Sequence, residues 1–329
     1  MKVIIPMAGM GTRLRPLTLN TPKPLLKLSG KTILERIIEN ISYTVSEQIT
    51  DIAFIVGNFS DDIINQVKNL SIQENIKKYI FVQSEPLGTA HAIYQAKSLL
   101  SGSVIIAYAD TIFEANFKLN EEFDGIILTK QVENPQLYGV VQKQNDLITN
   151  FVEKPKNFIS NEAIIGVYYF KNAEILLNKI ELLLNNNIRE NNEFQITNAL
   201  QMLIDDKQKF SSQIVKHWLD CGTLQMLLNT NKHLLENRNY TKNEFIYENS
   251  LIIEPCYIGK NVKISNSIVG PYTTLEDNTI ITNSVISNSI IYNNSSLTNA
   301  NIINSIIGNN ANISYKQNTI YLGDYAKNY

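Results

Sequence analysis

The stretch Val3-Ile4-Ile5-Pro6-Met7-Ala8-Gly9-Met10-Gly11-Thr12-Arg13-Leu14-Arg15-Pro16-Leu17-Thr18, with Pro22-Lys23-Pro24-Leu25 close behind it, decides how this chain is read. An apolar run leads straight into two glycines one residue apart, and three cations follow: Arg13, Arg15 and Lys23. Glycines so spaced let the backbone pass close to a ligand with its N–H groups turned inward, and the cations bring positive charge to the same spot. The pattern implies a cradle for a polyphosphate. A Walker loop would need Gly, four residues and then Gly-Lys-Ser/Thr, and a dinucleotide fingerprint would need a third glycine where this chain has Leu14. An ordinary strand-to-helix turn would explain the glycines but not Arg13 and Lys23.

Working outward, short apolar runs alternate with helix-like segments through the first two-thirds of the chain. Val3 to Pro6 precedes Ile33 to Ile41; Ile52 to Val56 precedes Ile63 to Leu70; Ile80 to Val82 precedes Ala90 to Leu100; then comes Val104 to Ala107. Such alternation predicts an α/β fold, a Rossmann-like mixed, mostly parallel sheet with helices on both faces. Ligands of such sheets sit beyond the carboxyl ends of the strands, near the point where strand order reverses. The glycine loop and Asp110, which follows the fourth strand, are therefore expected to face one crevice. An acid emerging there has no packing role and suits Mg²⁺, which prefers hard carboxylate oxygens. A second acid, Asp220, ends the apolar pair in His217-Trp218-Leu219-Asp220-Cys221-Gly222-Thr223. Either position also suits a helix N-cap.

From about Tyr247 the chain changes character. Aliphatic residues recur every five or six positions, at Ile258, Ile264, Val269, Leu275, Ile281, Ile286, Ile291, Leu297, Ile302, Ile307 and Ile313, with Asn, Ser, Thr and Gly between them. The phrase Asn-Ser followed by two β-branched residues returns at 266, 283, 288 and 304. This period suits neither a helix nor an alternating strand, but fits a three-sided parallel β-helix with one inward aliphatic per side. Three to four coils are expected, and the domains divide as residues 1–240 and 241–329, the second ending in a short tail. The abundance of Asn, Ile, Lys and Tyr is read as compositional bias rather than structural instruction.

The 329 residues, 44% of them hydrophobic, suffice for an enzyme domain and a smaller second one. Twenty-nine Lys and Arg against 31 Asp and Glu leave a formal charge of −2, which offers no general field for nucleic acid or anionic lipid. Two cysteines, Cys221 and Cys256, are too few for a disulfide framework, and the start of the chain shows no signal peptide or membrane span, so a cytoplasmic setting is expected.

The string G-x-G-T-R-x-x-P with its trailing P-K-P-L resembles the signature of the sugar-1-phosphate nucleotidylyltransferases, which join a nucleoside triphosphate to a sugar 1-phosphate and release pyrophosphate. The resemblance implies nucleotide binding by Ala8, Gly9, Gly11 and Thr12, with Arg13 and Lys23 as catalytic cations and Mg²⁺ held by Asp110 and Asp220. Ala109 stands where the family usually has glycine. Gln83-Ser84-Glu85-Pro86-Leu87-Gly88-Thr89-Ala90-His91-Ala92 is similar to the family's base-recognition segment, with Gln83 and Gly88 as base contacts; His91 is expected to be a packed helix residue. Tyr138-Gly139-Val140-Val141, Glu153-Lys154-Pro155 and Ile165-Gly166-Val167-Tyr168 resemble the sugar-phosphate side, implying Gly139, Glu153 and Gly166 around the sugar and Lys154 on its phosphate. Glu193-Phe194-Gln195-Ile196-Thr197-Asn198-Ala199 resembles a family helix start, with Asn198 where Asp is common.

Within the family the likeness is nearest to the longer glucose-1-phosphate thymidylyltransferases that bear a left-handed β-helix tail, with dTTP or UTP and glucose 1-phosphate favoured. A mannose-1-phosphate guanylyltransferase is the alternative, and a non-catalytic sugar-nucleotide-binding paralogue a third reading. All three histidines, His91, His217 and His233, precede the repeats, which argues against acetyl transfer there and hence against a bifunctional N-acetylglucosamine-phosphate enzyme. The repeats are expected to mediate homo-oligomerisation or effector binding.

Overall fold

A computed structural model describes residues 1–237 and 247–316. They form two compact units, one of Met1–Leu26 with Lys31–Thr223, the other of Lys27–Gly30 with the residues from Leu224 onward. The helix Leu224–Glu236 thus groups with the repeats. The boundary expected at 240/241 and the tail lie outside the described residues.

In the first unit, strands β1 (Lys2–Pro6), β2 (Asp51–Val56), β3 (Lys77–Val82) and β4 (Val104–Ala107) pair in the order β3-β2-β1-β4, all parallel. The runs of β1, β2 and β4 are buried almost throughout, as strands covered on both faces are, whereas β3, at the sheet edge, is only partly buried and starts with Lys77 and Lys78. The helix α1 (Ile33–Thr44) shows how the sequence sets an element. Glu35 N–H donates to Thr32 Oγ1 at 3.1 Å while Glu35 Oε2 accepts from Thr32 N–H at 2.8 Å, a capping box, and Ile33, Leu34, Ile37, Ile38 and Ile41 then bury one stripe. The expected helix from Ala90 to Leu100 is shorter, an α-helix over Thr89–Tyr94 followed by a single turn at Lys97–Leu99.

After β4 the chain adds β5 (Thr111–Glu114), β6 (Gly125–Gln131), β7 (Gly139–Gln144), β8 (Leu147–Glu153), β9 (Glu162–Phe170), β10 (Phe210–Ile214) and β11 (His217–Asp220). The nine-stranded sheet runs β3-β2-β1-β4-β9-β6-β10-β8-β7, so it is mixed: β9 lies antiparallel to both β4 and β6, while β10 returns parallel to β6. Strands β5 and β11 form a separate antiparallel ribbon. The core beneath holds Ile4, Ile55, Ile106, Tyr168, Phe170 and Phe210, with Phe170 and Phe210 packed edge to face. Strand order reverses between β1 and β4, which places the loop after β1 and the turn after β4 on either side of the switch point.

The second unit is a parallel β-helix consistent with the left-handed type. Three sheets of four short strands stack with all pairs parallel, and the register Ile264↔Ile281, Ile281↔Leu297, Leu297↔Ile313 gives coils of 16 or 17 residues. All eleven aliphatics singled out by period belong to its core, buried or partly so. The asparagines are not mere compositional bias, because they make the corners. Asn261, Asn278, Asn294 and Asn310 hold φ between 57° and 60°, a left-handed conformation that asparagine tolerates better than most L residues. Each Nδ2 donates to the Oδ1 of the asparagine one coil on, at 3.1 Å for all three pairs. Serine explains the rest of the Asn-Ser phrase. Ser284 Oγ donates to Thr282 O at 2.7 Å and accepts from Ala300 N–H at 3.0 Å, tying its own corner to the next coil. The segment Lys27–Gly30 belongs to this unit through Gly30 N–H, which donates to Glu276 Oε1 at 2.9 Å. Among the described residues no helix is long and apolar enough to cross a membrane.

Candidate functional site

The loop after β1 turns at Gly11, whose φ of +80° and close packing both require glycine: an added Cβ would stand 2.8 Å from Lys23 Cβ. Lys23 is thereby drawn under the loop, 8% exposed, with its Nζ 3.1 Å from Asp110 Oδ2. A cavity of about 450 Å³ opens here, lined by Ala8, Gly9, Gly11, Arg13, Lys23, Gln83, Gly88, Asp110, Glu193 and Gly222 among others. Thr12 lies in the same loop, in the short turn Thr12–Leu14, without lining the cavity. The glycine loop, Arg13, Lys23 and the segment from Gln83 thus converge on one space, from β1, β3 and β4, whereas Arg15, expected at the same spot, does not line it.

Gly88 has φ +112°, and a Cβ there would meet the backbone of Phe194 at 2.6 Å. The loop is stapled to the Glu193 string by Phe194 N–H to Leu87 O at 2.8 Å, Ala90 N–H to Phe194 O at 2.9 Å and Ile196 N–H to Thr89 Oγ1 at 2.9 Å. This close approach is the structural use of the Glu193–Ala199 fragment.

A second cavity, about 230 Å³, is lined by Tyr108, Asp110, Leu137, Tyr138, Gly139, Glu153, Gly166, Thr197 and Trp218 among others. Tyr108 and Asp110 line both cavities. Gly139 and Glu153 face each other across the β7–β8 ladder, close enough that a Cβ on Gly139 would lie 2.8 Å from Glu153 Oε2. Gly166 has φ +83° and accommodates the ring of Tyr108, whose Cδ2 would otherwise stand 2.6 Å from a Cβ. Burial pushes the Tyr108 phenol up to about 12, so it serves as a neutral hydrogen-bonding group. Lys154 lines neither cavity; its side chain is 67% exposed, with Nζ 3.9 Å from Glu153 Oε1.

Asp110 sits in the turn between β4 and β5, and the β5–β11 ribbon places Asp220 opposite Thr111, the neighbour of Asp110. Asp220 lines neither cavity, but Gly222, whose N–H donates to Asp220 Oδ1 at 2.7 Å, lines the first. Two carboxylates, one in the turn before β5 and the other at the end of the strand paired with it, the first 47% exposed, lining both cavities and already facing an ammonium group, form a hard-oxygen donor set that fits a Mg²⁺ ion.

Tyr108, Tyr138 and Trp218 were not singled out as site residues by sequence. Tyr138 and Trp218 pack edge to face at 5.0 Å, and both line the second cavity. Their signal was present, since both stand inside quoted fragments, but an aromatic in a strand reads as core until the pairing of β11 with β5 is known.

The family model described as nucleotidyl transferase matches residues 2–237. The chain is 34% identical over 274 residues to the bifunctional protein GlmU of Methanococcus aeolicus, covering 82% of this chain and 60% of that protein. It therefore spans about 60% of the length of that relative. It is 28% identical over 311 residues to a glucose-1-phosphate thymidylyltransferase of Streptomyces antibioticus, covering 86% of this chain and 85% of that one. A UTP-bound UGPase from Acinetobacter baumannii superimposes with a TM-score of 0.60 at 20% identity over 72% of this chain and 94% of that one, which shows a shared fold. With its signature loop, its two cavities that share Tyr108 and Asp110 and a family match over most of its length, the chain belongs to the nucleotidyl transferase family.

Proposed function

We propose that this chain transfers a nucleotidylyl group from a nucleoside triphosphate to a sugar 1-phosphate, releasing pyrophosphate, with dTTP or UTP and glucose 1-phosphate as the favoured pair. The observation that carries the reading is Asp110, which lines both cavities and faces Lys23. A triphosphate in the first cavity and a sugar phosphate in the second would meet there. The sugar phosphate is already ionised near neutral pH, so no protein nucleophile is needed, and the obstacle is the approach of two anions. Arg13 covers the departing pyrophosphate, Lys23 holds the attacking phosphate, Lys154 joins it by turning its exposed side chain from Glu153 towards the second cavity, and Gly139, Glu153 and Gly166 shape the sugar site. Mg²⁺, when bound by Asp110 and Asp220, supplies charge neutralisation between the two phosphates. Ala8, Gly9, Gly11 and Thr12 carry the triphosphate, and Gln83 and Gly88 meet the base.

A mannose-1-phosphate guanylyltransferase is the second reading, favoured by 31% identity over 279 residues to a mannose-1-phosphate guanyltransferase of Aspergillus oryzae, covering 81% of this chain and 72% of that protein. A binding-only paralogue is disfavoured by the presence of Arg13, Lys23, Asp110, Lys154 and Asp220 together. The β-helix as a surface for homo-oligomerisation and a cytoplasmic setting belong to the same proposal. Pyrophosphate release with Mg²⁺, measured across dTTP, UTP, GTP, ATP and CTP against glucose, mannose and N-acetylglucosamine 1-phosphates, tests it. Dominant dTTP or UTP with glucose 1-phosphate supports the first reading; GTP with mannose 1-phosphate supports the second; release from no pair refutes both.

A further inference from the structure

Thr18 has no part in the reaction proposed above, yet it touches the glycine at which the phosphate loop turns. A glycine at positive φ tolerates the peptide that follows it in either orientation, so the freedom that lets Gly11 bend the loop leaves open which way its carbonyl points. Gly11 stands at φ +80° and ψ +56°, which is one of the two. Thr18 is 1% exposed, and its hydroxyl donates to Gly11 O at 2.7 Å. Leu14 N–H donates to the same oxygen at 3.0 Å. The methyl of Thr18 packs at the same place, since a Cβ on Gly11 would lie 3.6 Å from Thr18 Cγ2. Turning the peptide over would break both hydrogen bonds and leave the buried hydroxyl without this acceptor.

The peptide joining Gly11 to Thr12 is planar and trans, so its oxygen and its N–H point in opposite directions. An oxygen drawn onto a buried hydroxyl turns the Thr12 N–H the other way, away from the protein interior, and Gly11 itself lines the first cavity. An inverted peptide would set the negative end of its dipole against a triphosphate; the observed one meets the polyanion with a donor. We infer that Thr18 is a positioning residue that holds the Gly11–Thr12 peptide with its N–H towards the triphosphate and its oxygen turned inward. The inference rests on the triphosphate site of the function proposed above and deepens it. It concerns the nucleotide alone and is indifferent to the base and to the sugar.

Two measurements on the full chain test it. Glycine precedes threonine at three places, Gly11-Thr12, Gly88-Thr89 and Gly222-Thr223, so protein labelled with ¹³C at the glycine carbonyl and ¹⁵N at threonine gives three carbonyl–amide correlations, and Thr12→Ser removes the one of interest. In Thr18→Val, which keeps the shape and removes the hydroxyl, the Gly11 carbonyl resonance should move upfield while the other two stay; in Thr18→Ser, which keeps the hydroxyl, it should remain near its wild-type place. An unmoved Gly11 resonance in Thr18→Val overturns the inference without reference to any ligand. Thr18→Ala makes the same comparison if the valine variant folds poorly. The second measurement is calorimetric binding of Mg-UTP without sugar phosphate, or of Mg-GTP if the wild type prefers it. Thr18→Val should weaken binding about five- to tenfold, the scale of one hydrogen bond, and raise KM for the nucleotide by the same factor with kcat within about threefold and KM for the sugar 1-phosphate unchanged. Thr18→Ser should restore most of the affinity. Unchanged affinity in Thr18→Val, or equal weakening in the valine and serine variants, overturns the inference. A wild-type protein that binds no triphosphate refutes the proposed function and the ligand named here with it, whereas unchanged affinity in Thr18→Val of a protein that does bind refutes the role of Thr18 alone.

Discussion

The two units solve opposite problems with one chain. In the β-helix every coil repeats the same few devices, an inward aliphatic on each side, a left-handed asparagine corner and a serine that bridges to the next coil. In the sheet unit almost nothing repeats: Gly11, Arg13, Lys23, Gln83, Asp110, Glu153 and Trp218 each occupy one place, contributed by separate segments and gathered around two cavities. A repeated structure spreads its free energy over many similar contacts, whereas a site concentrates its function in single groups. Substitutions in the first should therefore move stability by graded amounts, and substitutions in the second should move turnover with little effect on melting.

The largest effect that would break this contrast is sought in the β-helix core. Leu297 is fully buried between Ile281 and Ile313 of the neighbouring coils, and Leu297→Ala should cost about 2–5 kcal/mol in denaturant unfolding. A cost below about 1 kcal/mol would mean that the coils do not share a close-packed core. In the site, Arg13→Ala should remove on the order of 3 kcal/mol of transition-state binding, a fall of roughly a hundredfold or more in kcat/KM, while the melting temperature stays near wild type. Near-normal turnover in that variant would refute the role given to Arg13.

Smaller effects sharpen the comparison. Asn283 holds φ +50° and donates to Asn299 Oδ1 at 3.4 Å. Asn283→Ala should cost about 1–2 kcal/mol, because alanine is strained where asparagine is tolerated. Asn283→Gly, which relieves that strain, should cost less. Equal costs measured by urea titration would show that the side-chain ladder, not the corner, carries the effect.

The smallest concerns acid. Glu162, on β9, is buried, which alone would raise its pKa, but Lys143 at 2.8 Å and the hydroxyls of Ser212 and Thr129 outweigh burial and hold the carboxyl below its ordinary range. A depressed folded-state value means that the stability it contributes is present above the unfolded-state pKa and is lost as pH falls through the folded-state pKa. Glu162→Gln should lower stability at pH 7 and flatten its decline below the ordinary carboxylate range. An unchanged slope in acid unfolding would remove Glu162 from that account.

How much was legible in the sequence follows the same division. The aliphatic period of the repeats reports packing directly, because each residue meets its counterpart 16 or 17 positions away, and all eleven named positions lie in the core. The corner asparagines escaped notice because composition hides what φ reveals. The glycine loop and Asp110 were legible through the rule that ligands gather beyond the carboxyl ends of parallel strands, and both line the first cavity. What local pattern could not supply was the antiparallel half of the sheet and the ribbon of β5 with β11. Pairings between residues a hundred positions apart bring Asp220 beside Thr111 and turn Trp218 and Tyr138 into a cavity wall. Tyr108 is hidden for a similar reason: only the left-handed backbone of Gly166 makes room for its ring.

The most direct test of the central claim follows the fate of labelled phosphate. With Mg²⁺, a sugar 1-phosphate and UTP or dTTP labelled in parallel at the α or the γ position, the account predicts α label in a nucleotide sugar and γ label in pyrophosphate, with both signals lost in Asp110→Asn. Label from the γ position appearing on the sugar, or undiminished transfer in Asp110→Asn, would contradict it.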